Sequence, residues 1–139
     1  MADSALPVLL LVEPETLLRR TVSLTARSAN LAEVTEAASA DTARELLARR
    51  RFDGAVISLD LDTPPERGGP LALLEYLQGT RSRSDTAVPV AVMVERCDAA
   101  LLTALRGLGV ARIIIKPFRA RAVIDAIVAL GKSASAAPA

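Results

Sequence analysis

This 139-residue chain has no histidine and one cysteine, Cys97. Histidine-based acid–base catalysis, Ser–His and Cys–His nucleophiles and most zinc sites are therefore removed at once. What remains is a small set of acids and one lysine, each placed just after a short apolar run. Glu13 and Glu15 follow "PVLLLV" (7–12), Ser58 and Asp60 lie in "GAVISLDL" (54–61), and Lys116 ends "ARIIIK" (111–116), with Pro117 and Phe118 directly behind it. Any one of these charges is ordinarily a solvated loop residue. Carboxylates converging on a lysine, however, suit a phosphate or divalent-metal site, because the cation offsets their mutual repulsion.

The elements that position these residues alternate. "PVLLLV" has strand length. "PETLLRRTVSLTARS" (14–28) places Leu17, Leu18, Thr21, Val22 and Thr25 at helical spacing, with Pro14 suited to a helix start. "AEVTEA" (32–37) is a second, weaker strand. "SADTARELLARR" (39–50) is a helix with Ala43, Leu46 and Leu47 as its apolar stripe and Ser39 or Asp41 as its cap. The third strand, 54–61, leads into a loop, "DTPPERGG", and a helix over 70–79 that Gly79 is expected to end. After a polar connection (80–87) come a fourth strand (88–94), a helix (98–109) running out at Gly107 or Gly109, the fifth strand (111–116) and a last helix (119–131). The three consecutive isoleucines read as a strand buried on both faces.

Continuous apolar strands between amphipathic helices predict an α/β fold, a doubly wound five-stranded parallel sheet with helices on both faces. Sites in such folds lie at the carboxyl ends of the strands, where the acids and the lysine stand. The expected organisation is an N-terminal arm (1–6), one domain (7–131) and a flexible small-residue tail (132–139). A net charge of +1 gives no electrostatic case for nucleic acid or an anionic membrane. No stretch is apolar for long enough to span a bilayer. The first residues carry an acid and no basic run, unlike a secretory leader. With a single cysteine fitting a reducing compartment, a cytoplasmic location is expected.

"PVLLLVEPE", "AASADTARELLARRRFDGAVIS", "PVAVMV" and above all "GVARIIIKPF" resemble, over about residues 7 to 131, the receiver domain of two-component response regulators. The resemblance implies the flavodoxin-like strand order 2-1-3-4-5, a phosphoryl-contacting lysine at Lys116 and a bond to Pro117 that is usually cis. It also implies a Mg²⁺ held by an acidic pair after the first strand and by an acceptor Asp after the third. Here the pair is Glu13-Pro14, and Pro14 offers no ligand. Glu15 compensates in part at best. Counting without gaps from Asp53 puts Ser58 at the acceptor position. Counting back from Pro64 and Gly68 puts Asp60 there, at the expense of two extra residues inside a buried strand, so Ser58 is favoured. The switch positions, where the family has a hydroxyl and an aromatic, are Val94 and Ile113, and Glu95 follows Val94 where a small residue is usual.

Losses in metal ligation, acceptor and readout together imply a stand-alone degenerate receiver, not an enzyme. It would need no cofactor and act through a protein partner or by self-association. The expected face is helix 4, strand 5 and helix 5, with Leu101, Leu102, Leu105 and Ile113 as its apolar residues. Two alternatives stand beside this reading. One is an atypical receiver phosphorylated on Asp60, with Glu13 and Asp60 holding Mg²⁺. The other is small-ligand or nucleotide binding through the arginines of "RRR" (49–51), "RSR" (81–83) and Arg119/Arg121.

Overall fold

The computed structural model describes residues 6–83 and 88–136, with side chains for 6–79 and 88–131. Five parallel strands, β1 (Val8–Val12), β2 (Glu33–Ala37), β3 (Gly54–Ser58), β4 (Val90–Val94) and β5 (Arg112–Ile115), form one sheet in the order β2-β1-β3-β4-β5. The helices between and after them are α1 (Thr16–Ser28), α2 (Ala40–Arg49), α3 (Ala72–Arg83), α4 (Ala99–Gly107) and α5 (Ala120–Ala136).

Side-chain alternation along the strands explains why their apolar runs are unbroken. Leu10, Val12, Ala55, Ile57, Val90, Val92, Val94 and Ile113 face one layer, where α2, α3 and α4 pack through Ala43, Leu73, Leu74, Leu77 and Leu105. Leu9, Leu11, Val56, Ala91, Met93 and Ile114 face the other, against Val22 and Ala26 of α1 and Val123, Ala126, Ile127 and Leu130 of α5. By this parity Glu13, Ser58 and Lys116 emerge on the α1/α5 side, at one end of the sheet.

Capping fixes several boundaries. Ser39, rather than Asp41, caps α2, its Oγ accepting the Thr42 N–H at 3.1 Å. Asp98 caps α4 by accepting from the Leu101 N–H at 2.8 Å. At the C-terminus of α4, Gly109 takes φ 76°, and the Val110 and Gly109 N–H groups return to the Leu105 and Arg106 carbonyls. This Schellman closure makes Gly109 the residue that reverses the chain.

Several expectations are corrected. Strand β3 ends at Ser58, not at residue 61. Helix α3 continues past Gly79 to Arg83, since a glycine weakens a helix by about 1 kcal/mol without ending it. Helix α5 continues to Ala136, so its end falls inside the segment expected as a flexible tail. Residues 1–5 of the expected arm, 84–87 of the polar connection and 137–139 of the tail lie outside the described residues. On α1 the buried row is Val22, Ser23 and Ala26, with Leu18 beside it, and Leu17 is 73% exposed. Leu17 sits about 100° around the helix from Leu18, enough to turn it off the packed face. Ile115 is 47% exposed on β5, the end strand of the sheet.

Candidate functional site

Three strand ends meet where the carboxyl edge of the sheet opens. The backbone registers Val12 opposite Ile57, and Ser58 opposite Met93. Glu13 and Ser58, one residue further along their strands, are therefore level. Lys116 follows β5, its N–H donating to the Val94 carbonyl at 2.7 Å, and its peptide bond to Pro117 is cis.

The lysine side chain turns inward. Its Nζ donates to Glu13 Oε1 at 3.0 Å and to Ser58 Oγ at 2.7 Å. The Glu13 side chain is only 3% exposed and that of Lys116 20%. The other carboxylate oxygen, Oε2, accepts the Glu15 N–H at 2.9 Å, folding the Glu13-Pro14-Glu15 turn over its own acid. Lys116 thus joins the ends of β1, β3 and β5 in one buried polar contact. This answers the need of a carboxylate inside an apolar layer, where an unpaired charge is severely penalised.

A second tie was not legible in the sequence. Arg19, one turn into α1, donates through Nη1 to the Glu13 carbonyl at 2.9 Å and through Nε to Glu36 Oε1 of β2 at 3.1 Å. Its side chain is 15% exposed. It clips α1 to the ends of two strands and fixes the acidic turn. Arg19, beside Arg20 on an amphipathic helix, carries no signal of such a role in the sequence. Only the tertiary position of Glu36 reveals it.

Asp60 is not part of this cluster. It is exposed, its Oδ1 accepts the Asp62 N–H at 2.9 Å, and its carbonyl accepts from Thr63 Oγ1 at 2.8 Å and from the Thr63 N–H at 3.1 Å. These local bonds compete with strand extension, as Asx turns do. They end β3 before Asp60 can share a face with Ser58. Glu15 is likewise exposed, at the start of α1, with no side-chain capping bond.

The residues present do not fit Mg²⁺. The ion asks for near-octahedral oxygen ligation. Here the buried carboxylate has both oxygens engaged, Pro14 has none to offer, and Asp60 is held in its loop. Among the described residues no group of three or more His, Cys, Asp or Glu comes together to hold a metal.

Val94 is fully buried and Ile113 half-buried, both packed in the α2/α3/α4 layer with Leu105. Neither position offers a hydroxyl or a ring edge. Glu95 is exposed and lines a shallow cleft with Leu18, Lys116, Pro117 and Phe118. The expected partner face is corrected in part. Leu105 is fully buried, and Leu101 packs against the same core. At spacings of three and four residues, Leu101, Leu105 and Leu108 form the inward row of α4. Leu102 remains half-buried beside it.

The arginines are dispersed. Arg49, Arg50 and Arg51 are exposed at the end of α2, with Arg50 over the Phe52 ring at 5.2 Å. Arg119 and Arg121 are exposed at the start of α5, and Arg121 lies 3.8 Å from Asp125. The side chains of Arg81 and Arg83 lie outside the described residues.

No protein-family profile matches the sequence, and no curated protein matches it. Solved structures do. The Vibrio cholerae chemotaxis protein CheY4 is 22% identical, with a TM-score of 0.71 over 91% of this chain and 99% of that one. The receiver domain of HemR from Leptospira biflexa is 22% identical, with a TM-score of 0.74 over 96% and 98%. A CheY-like receiver domain from Methanospirillum hungatei is 16% identical, with a TM-score of 0.75 over 94% and 98%. The chain therefore has the receiver fold of two-component response regulators, in the strand order that the resemblance implied. No helix among the described residues is long and apolar enough to cross a membrane.

Proposed function

We propose that this chain is a degenerate receiver: a non-enzymatic module of a two-component-type signalling pathway that acts by protein–protein interaction, without phosphorylation and without a metal cofactor. The observation that carries this reading is the acceptor position. Level with Glu13, the end of β3 presents Ser58, a hydroxyl that accepts from the Lys116 ammonium at 2.7 Å, and Asp60 lies outside the cluster in its own turn. Phosphoryl transfer rests on positioning and charge neutralisation, and the metal-binding set and the acceptor carboxylate are both missing from the strand ends. With Val94 and Ile113 buried as plain apolar residues, a phosphoryl group would have no hydroxyl to recruit. The remaining role is that of a fixed surface for a partner, carried by α4, β5 and α5, in the cytoplasm.

The test is a Mg²⁺ titration by calorimetry, repeated with beryllofluoride, on the wild type and on Asp60→Asn. The expected outcome is no heat of binding and no change in amide spectra for either protein. Metal-dependent beryllofluoride binding that disappears in Asp60→Asn would instead establish a phosphorylatable receiver with Asp60 as its acceptor.

A further inference from the structure

At the amino-terminal end of the sheet, away from Lys116, lies a cavity of about 360 Å³, the size of a small-molecule site. Leu6, Val8, Ala32 and Val34 give it an apolar wall, and two exposed arginines, Arg27 and Arg50, line it as well. Arg27 stands in the last turn of α1 and Arg50 just beyond α2. Cations commonly end helices because they offset the helix dipole. These two guanidinium groups are turned elsewhere. Backbone closes the end of α1, where the Asn30 and Leu31 N–H groups donate to the Arg27 and Ala26 carbonyls at 2.9 Å each. Arg27 reaches across to β2, its Nη2 donating to the Val34 carbonyl at 3.1 Å. Arg50 lies over the Phe52 ring at 5.2 Å. Each guanidinium is thus tethered without being neutralised. Among the described residues neither meets a carboxylate, whereas Arg19, Arg44 and Arg121 do. Of the acids at this end, Asp53 is engaged, its Oδ2 accepting the Val8 N–H at 2.8 Å. Glu33 lines the cavity, and Arg49 and Arg51, which flank Arg50 in sequence, do not. Two arginines against one glutamate leave one net positive charge in the lining.

We infer that this cavity binds a small amphipathic carboxylate, with its chain on Leu6, Val8, Ala32 and Val34 and its carboxylate held by Arg27 and Arg50. A guanidinium carries five N–H donors in a fork that matches a carboxylate. Arg27 uses one donor on Val34, and the ring contact of Arg50 uses none. One negative charge on the ligand matches the one net positive charge of the lining. A phosphate monoester brings close to two charges and sets the excess against Glu33, where like charges repel. An ammonium would meet the two arginines. The cavity lies at the end of the sheet opposite to Glu13, Ser58 and Lys116, so its ligand is independent of any phosphoryl chemistry there. It adds a small-molecule input to the degenerate-receiver reading.

The test is a titration of the full chain with sodium octanoate at constant ionic strength, followed by amide spectra and calorimetry. The expected result is saturable binding at one site, with shifts centred on Leu6, Val8 and the amides of 32–35. Arg27→Met/Arg50→Met, two surface changes checked by their melting curve, should weaken binding about tenfold or more. Glu33→Gln should tighten it about threefold. Butanoate should bind more weakly than octanoate, by up to about fourfold per methylene removed. Octanol and octylammonium should bind about tenfold or more weakly, and octyl phosphate no more tightly than octanoate. The inference is overturned by the absence of saturable binding, by octanol binding as tightly as octanoate, or by an unchanged affinity in the double variant. It is also overturned by butanoate matching octanoate, by tighter binding of octyl phosphate, or by shifts that map to the cleft of Leu18, Pro117 and Phe118.

Discussion

Replacing Lys116 by Met keeps the side-chain stem and removes the ammonium. Glu13 then keeps only the Glu15 N–H, and at 3% exposure water cannot replace the missing donor. Ser58 Oγ loses its donor as well. Removing one partner of a buried ion pair costs about 3–5 kcal/mol, because an uncompensated charge remains. The Lys116 side chain is 20% exposed, which argues for the lower end, about 3 kcal/mol. Against a total stability of about 5–15 kcal/mol this is a large fraction. For a domain of this size it lowers the melting temperature by about 10 °C. Glu13→Gln leaves a lysine that can swing to solvent and should cost only about 1 kcal/mol. The pair is coupled, so Glu13→Gln/Lys116→Met should be more stable than the sum of the single effects by about 2 kcal/mol. Urea unfolding of the four proteins measures the cycle. A loss below about 1 kcal/mol in Lys116→Met, or additivity within about 0.5 kcal/mol, would refute the reasoning that Lys116 serves Glu13.

Asp60→Asn preserves the oxygen that accepts the Asp62 N–H and should change stability by less than about 0.5 kcal/mol in the same assay. Leu105→Ala, at the fully buried position of α4, should cost about 2–5 kcal/mol, whereas Ile115→Ser, at the exposed end strand, should stay within about 0.5 kcal/mol. Gly54→Ala should destabilise by about 1–3 kcal/mol in thermal melts, because its Cβ would stand 2.9 Å from Leu9 Cδ2 and 3.4 Å from the Pro89 carbonyl, inside a packed sheet. Arg19→Met should cost about 1–3 kcal/mol, through the loss of its charge-assisted bonds to the Glu13 carbonyl and to Glu36. Hydrogen exchange should show the loss as faster opening at the start of α1.

The architecture is legible in the order of the residues alone. Apolar runs of strand length alternating with amphipathic helices leave a doubly wound parallel sheet as the economical way to bury both strand faces. The same pattern placed Glu13, Ser58 and Lys116 at strand ends, because strand parity and connection order are local properties of the chain. Which side chains meet is settled only when the elements pack together. Asp60 is two residues from Ser58, but an Asx turn that no periodicity announces stops β3 and turns it out. Leu102 and Leu105 read alike in "AALLTALRG", and only the direction in which α4 packs separates a half-buried side chain from a core one. Ile113, Ile114 and Ile115 read as one buried run, yet the last is exposed on β5, and that β5 ends the sheet is a fact of strand order. Arg19 found Glu36, and Lys116 reached 103 residues back to Glu13, through contacts that exist only once the strands are side by side. Periodicity fixes which face a residue takes within its own element. Pairing between distant elements is set by how those elements pack.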